Sequence, residues 1–363
     1  MKKKVLILAN NASGLYDFRN ELLLRLLQEY EVHVSLPDEE DVPEIAVEGC
    51  IVYHTDLERR GMNPIKDGKL MLDYFELIKK IKPSVVLTYT IKPNIYGSLV
   101  CRLCRIPYIV NITGLGSAFE EGGMLQKIVV FLYKMALKKA ECVFFQNSKN
   151  RDIFDGFGIK SKKERLVPGS GVNLDRHMME AYPEENEPIK LVFVGRIMKE
   201  KGIDELLYAA EKIKQEFPEV IFEFIGSFED DYKELIEKKE QEGIVRLVGY
   251  QKNIHPFYKS ASAAIMPSYH EGMSNVVLEA SATGRPVIAT DIPGCKEAFD
   301  DGVTGIGFAP REKKACYDAV KKFVELSYED RKEMGQKARE KIEREFDRKI
   351  VVESYIEEIN KIL

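Results

Sequence analysis

Two carboxylates frame the stretch EGMSNVVLE, residues 271–279. Glu271 stands before a glycine, and Glu279 sits in an apolar run. Ser274 is a good helix N-cap, and the spacing predicts a helix to about Thr283, ended by Gly284. Such a helix presents free N–H groups and the positive end of its dipole, which suit an anion. Gly272 allows close approach to the backbone, with Met273, Ser274 and Asn275 following. Glu279 lies roughly 7–8 Å into the helix at ~1.5 Å per residue. A diphosphate at the tip would then have a carboxylate on either side for hydroxyl groups, ribose at one end and a transferred sugar at the other. The bland alternative is a loop glutamate and a helix-face glutamate, as in any strand–turn–helix unit.

A second stretch, VFVGRIMKEKGIDEL, places Arg196 after Gly195 at a strand end and Lys201 just before a helix. An arginine fork and a lysine point charge suit the same diphosphate. A solvated charge run is the competing reading. Other chemistries find little support. No D-x-D triplet occurs, and Asp230–Asp231 and Asp300–Asp301 read as turns, so no metal is expected. GSGVN at 169–173 lacks the third glycine of a dinucleotide fingerprint and follows no long strand. Cys101 and Cys104 make a lone CxxC without a second pair, and the six cysteines read as reduced. His33 and His54 fall in expected strands, and His177 and His255 read as surface residues. His270 adjoins Glu271 and could touch a substrate.

The elements that must position these residues alternate. KKKVLILAN, YEVHVSL, CIVYHTDL, SVVLTYT, PYIVNIT and ECVFFQN read as strands, separated by helical periods; Asp17 reads as a helix cap after a loop NASGLYD. The rhythm breaks at EAYPEENEPIK, residues 180–190, which reads as a linker. It resumes with KLVFVGRI, VIFEFIG, VRLVGY, AAIMPS, PVIATD and TGIGFA, with a short helix around CKEAF and helix from Glu312 onward. This is an α/β chain of two doubly wound parallel-sheet domains. Ligands are expected at the carboxyl ends of the strands and between the domains.

The chain has 363 residues and net charge −5. Residues 59–151 carry 16 basic and 6 acidic residues, an excess of +10 that suggests a separate partner for the first half. The apolar run Val5–Ala9 is too short for a secretory core, and no stretch approaches a membrane span, so a cytosolic protein is expected. The stretch MLQKIVVFLYKMALKKA is apolar around most of a helix, with Lys127, Lys134 and Lys138 on one stripe. An ordinary sheet-packed helix explains the apolar part, and a helix lying on an anionic membrane explains the lysines as well.

Taken together, EGMSNVVLE and GR…KEKG resemble the E-x7-E signature and the phosphate-binding segment of glycosyltransferase family 4. Those enzymes are retaining and have the GT-B fold, two Rossmann-like domains facing across a cleft. The similarity extends over essentially the whole chain. YDFR at 16–19 and GLGSAF at 114–119 further resemble a branch that extends saccharides on bacterial polyprenyl diphosphate, often from UDP-N-acetylhexosamines such as UDP-GalNAc. The resemblance implies an acceptor domain at 1–175, a nucleotide-sugar domain at 176–345, and a helix at 346–363 packing back on the first domain. It implies that Arg196 and Lys201 hold the diphosphate, Glu279 the ribose, and Glu271 the donor sugar. Gly14, Gly195, Gly272, Met273, Ser274 and Asn275 would line the donor, with the base near Tyr250 and Gln251. Arg19, Thr113, Gly114 and Gly116 would lie on the acceptor side. The implied reaction is front-face substitution without metal or cofactor, at the inner face of the cell membrane and with no nucleic acid. One departure stands out: a histidine common after the family's NIT strand is replaced here by TGLGS. Two rivals share parts of the pattern, a UDP-sugar 2-epimerase or hydrolase of the same fold and a non-catalytic sugar-binding protein.

Overall fold

The computed structural model describes residues 2–37, 42–58, 63–115, 119 and 122–363. The chain divides into two compact units, Met1–Ser170 with Lys349–Leu363, and Gly171–Arg348.

The first unit holds seven parallel strands: β1 Lys4–Leu8, β2 Glu31–Leu36, β3 Ile51–His54, β4 Val85–Tyr89, β5 Tyr108–Ile112, β6 Cys142–Phe145 and β7 Glu164–Leu166. Their order is β3-β2-β1-β4-β5-β6-β7. Val5, Leu6, Ile7 and Leu8 are all fully buried, because side chains alternate between two covered faces. On one face Leu6, Leu8, Val86 and Val110 pack with the helices Pro64–Ile81, Ser98–Cys104 and Gly123–Leu137. On the other, Val5, Ile7, Leu87 and Ile109 pack with the helix Ala12–Glu29 and with Val351, Val352, Tyr355, Ile356 and Ile359 near the chain's end.

The second unit has six parallel strands: β8 Lys190–Val194, β9 Ile221–Ile225, β10 Arg246–Gly249, β11 Ala263–Met266, β12 Val287–Thr290 and β13 Gly305–Phe308. Their order is β10-β9-β8-β11-β12-β13. In each sheet the winding reverses once, between β1 and β4 and between β8 and β11. A crevice opens outside the carboxyl ends of such a pair, where open α/β sheets bind ligands.

Several local expectations give way. Asp17 is not the helix N-cap: the helix begins at Ala12, and the Asn11 side chain accepts from the Gly14 amide at 2.7 Å. Residues around CKEAF form turns rather than a helix. Residues 180–190, expected as a linker, are fastened to the second unit. Arg285, fully buried, donates to the carbonyls of Glu180 and Ala181 as well as to those of Tyr258, Lys259, Thr283 and Gly284. One guanidinium thereby satisfies carbonyls at two helix ends, which intrahelical bonding leaves open.

Candidate functional site

The loops after β8 and β11 meet at the second sheet's switch point. Glycines let them approach. A Cβ on Gly202 would lie 2.1 Å from the Pro267 carbonyl oxygen, and one on Gly294, in the loop after β12, would lie 2.6 Å from that of Glu271. Gly202 also has φ +69, so a side chain there would be strained as well as obstructed. The Tyr269 amide donates to the Glu200 carbonyl at 2.9 Å, fixing one loop on the other.

This contact brings Lys201 to Glu271. Lys201 Nζ donates to Glu271 Oε1 at 2.5 Å, with both side chains less than a fifth exposed. The two residues are 70 apart in the chain, and the strand order makes them neighbours. Arg196, half exposed, pairs with Glu229. Gly195 follows β8, its amide donating to the Ile225 carbonyl.

Beyond Glu271 and Gly272, buried Met273 and Ser274 lead into the helix Asn275–Ala282. Ser274 Oγ accepts from the Val277 amide at 3.4 Å, as the sequence predicts for an N-cap, and Gly284 follows in the left-handed region at φ +80. Glu279 lies on this helix, and the Tyr258 hydroxyl donates to its Oε2 at 3.3 Å. Tyr258 is fully buried, which with the adjacent carboxylate holds its hydroxyl protonated far above the usual range. His177 Nε2 stands 3.9 Å from Glu279 Oε1.

The sequence misplaces His177 and His255. His177 is buried, and desolvation pulls its pKa down to about 3, so its ring is neutral beside Glu279. His255 is largely buried and contacts Glu180 at 3.1 Å. No periodicity reveals Tyr258 or His177 as supports of Glu279, because one lies in a six-residue helix, His255–Ser260, and the other in an irregular segment. His270 faces Arg311 at 3.4 Å.

Tyr250 and Gln251 follow the edge strand β10, two strands from β8, and the Tyr250 ring is exposed. In the first unit, Gly14 lies in the opening turn after β1, with its amide committed to Asn11. Thr113 and Gly114 follow β5 directly, Arg19 is buried in the helix after β1, and Gly116 lies outside the described residues.

Paired parallel sheets with this strand order define the GT-B class. HepE of Anabaena, solved with UDP-glucose, superposes with a TM-score of 0.80 at 17% identity, over 99% of this chain and 100% of that one. The family model described as Glycosyl transferase 4-like matches residues 4–147, and that described as Glycosyl transferases group 1 matches residues 175–341. Together the two models span most of the chain, which resembles glycosyltransferase family 4 and is a glycosyltransferase. A Campylobacter jejuni relative, N,N'-diacetylbacillosaminyl-diphospho-undecaprenol alpha-1,3-N-acetylgalactosaminyltransferase, is 24% identical over 88% of each chain. An Escherichia coli relative, UDP-Gal:alpha-D-GlcNAc-diphosphoundecaprenol alpha-1,3-galactosyltransferase, is 26% identical over 66% of this chain and 67% of its own.

Proposed function

We propose that the chain transfers a sugar, an N-acetylhexosamine such as GalNAc, from a UDP-sugar to a saccharide carried on polyprenyl diphosphate, with retention of anomeric configuration. The observation that carries this reading is the Lys201–Glu271 contact beside the N-terminus of the helix Asn275–Ala282. A cation for phosphate and a carboxylate for sugar hydroxyls adjoin there, as cleavage of a sugar–phosphate bond requires. The names of the C. jejuni and E. coli relatives supply the acceptor class. They differ in the sugar moved, which leaves N-acetylhexosamine resting on the sequence resemblance.

In this reading the acceptor hydroxyl oxygen bonds to the anomeric carbon as the bond to the β-phosphate oxygen breaks on the same face. UDP leaves with the electron pair, and the hydroxyl proton passes to the departing phosphate oxygen. Arg196 and Lys201 stabilise the developing phosphate charge, and backbone amides at the helix start assist. Glu271 orients the donor sugar, and Glu279, held by Tyr258, takes the ribose hydroxyls. The scheme asks for no metal and no cofactor. A thermal-shift panel of nucleotide sugars, followed by product analysis with short polyprenyl-diphosphate saccharides, tests it. Stabilisation by a UDP-sugar with free sugar as the only product would favour the hydrolase instead.

A membrane-borne acceptor calls for a membrane-facing surface, and the first unit offers one. Met124, Ile128, Phe131 and Met135 follow one another at helical spacing along the helix Gly123–Leu137, all at least 40% exposed. Exposed Lys127, Lys134 and Lys138 run beside them. Leu103, 72% exposed, lies on the neighbouring helix Ser98–Cys104, where Arg102 donates to the Met135 carbonyl. No acidic residue occurs from 122 to 140. An apolar stripe flanked by lysines suits an anionic bilayer, with the ammonium groups at headgroup level. Among the described residues no helix is long and apolar enough to cross a membrane. Cosedimentation with anionic vesicles should be weakened by salt and by glutamate at 127, 134 and 138. Equal partitioning onto neutral vesicles, or none onto either, would favour a soluble acceptor.

A further inference from the structure

Four polar side chains converge at the first sheet's switch point, all within the first unit. Arg19 comes from the helix after β1, Tyr89 ends β4, Asn111 lies near the end of β5, and Tyr355 comes from the last helix. Parallel register sets Tyr89 beside Asn111 and Asn111 beside Phe144, so the three side chains share one face. The Phe144 and Tyr355 rings are 4.3 Å apart. The Arg19 guanidinium stands 5.5 Å from the centre of the Tyr89 ring and 5.9 Å from that of Tyr355.

All four residues are more than nine-tenths buried: Arg19 is 5% exposed, Tyr89 5%, Asn111 1% and Tyr355 1%. Even so, Arg19 Nη1 and both amide atoms of Asn111 lack a hydrogen-bond partner, and the two tyrosine hydroxyls have none but each other. Among the described residues no carboxylate pairs with Arg19. Buried polar groups are ordinarily satisfied, and a buried cation without a counterion is costly. The chain leaves β4 through Thr90 at φ +72, a conformation disfavoured for a β-branched residue, and its buried hydroxyl is unpartnered too. The cluster offers a permanent cation, two hydroxyls and an amide NH2, against one obligate acceptor, Asn111 Oδ1.

We propose that Arg19, Tyr89, Asn111 and Tyr355 form an oxyanion site that takes a phosphate group. The source is either the diphosphate of a lipid-linked acceptor, which rests on the function proposed above, or free inorganic phosphate. The ligand would join the last helix to β4 and β5 through Tyr355, so occupancy should also stabilise the first unit.

The test uses the full chain with UDP at saturation, so that the second unit's cations are engaged. Pyrophosphate and inorganic phosphate are titrated by calorimetry into wild type, Tyr89→Phe, Tyr355→Phe and Arg19→Lys, and the acceptor KM is measured for each. The phenylalanine variants remove only hydroxyls whose sole protein partner is each other, so folding should survive. We expect pyrophosphate to bind wild type and raise its Tm, and Tyr355→Phe to weaken binding roughly tenfold, the scale of one hydrogen bond to a charged group. A matching rise in acceptor KM, with UDP affinity unchanged, assigns the anion to the acceptor. Weakened pyrophosphate binding with unchanged KM assigns it to free phosphate. Absence of transfer to any lipid-linked acceptor would defeat the proposed function, while the calorimetric arm still decides the oxyanion site. Anion affinity equal in wild type and both phenylalanine variants, or no anion binding, would overturn the site and leave a cluster solvated by internal water.

Discussion

At the carboxyl edge of the second sheet, Lys201 is held by Glu271 and Arg196 by Glu229. At the corresponding edge of the first sheet, Arg19 lies against two tyrosine rings with no carboxylate among the described residues. Both edges have the same local strand order and the same switch point. They differ in where the counter-charge comes from. In the second unit the protein supplies it, so a diphosphate must displace or share a carboxylate already present. In the first unit no described carboxylate supplies it, and the proposed oxyanion would.

The largest expected effects come from breaking the paired edge. Lys201→Ala should lower turnover on the order of 10²–10³, the scale for a preorganised electrostatic group, and it also leaves the largely buried Glu271 without its cation. Arg196→Ala should lose turnover on the same scale. Steady-state assays with EDTA sharpen the point, since activity should persist if these two cations carry the leaving-group charge. Loss with EDTA and rescue by magnesium or manganese would return that role to a metal.

Smaller effects should separate the two carboxylates. Glu279→Ala should weaken UDP binding by about 1.5–3 kcal/mol, the value of a hydrogen bond to a charged group, while Glu271→Ala should chiefly lower turnover. Calorimetry with UDP and kcat measurements check the division. UDP affinity unchanged in Glu279→Ala would remove the ribose contact from the account.

The last effect is on stability and belongs to the second unit. His177 stays neutral in the fold down to about pH 3, while the unfolded chain takes up a proton near 6.5. Its contribution is therefore complete above pH 6.5 and declines as the pH falls toward 3, by at most about 1.4 kcal/mol per pH unit for one proton. Urea melts of wild type and His177→Gln should diverge least in the acid range and most near neutrality. A difference independent of pH would mean that His177 does not titrate in the unfolded state as assumed.

The same comparison shows what a sequence discloses. EGMSNVVLE and GRIMKEKG are contiguous, so the glutamates, the cap, the turn glycine and the cations are legible as a set. The pairing of Lys201 with Glu271 is not, because it depends on β8 and β11 being neighbours and on Gly202 admitting the Pro267 carbonyl. In the first unit the site is scattered over positions 19, 89, 111 and 355. Of these only Arg19 stands in a recognised motif. Asn111 looks like any strand residue, and Tyr355 joins the cluster only because the end of the chain packs against Phe144. Asp17 misleads because Asn11, six residues earlier, already caps the helix.

The diphosphate of the donor should bind where the loops after β8 and β11 meet. A crystal structure of the chain with UDP tests it most directly. The β-phosphate should lie at the N-terminus of the helix Asn275–Ala282, within hydrogen-bonding distance of Lys201 and Arg196, with the ribose hydroxyls on Glu279. An ordered UDP whose phosphates touch neither cation, or whose ribose lies away from Glu279, would contradict it.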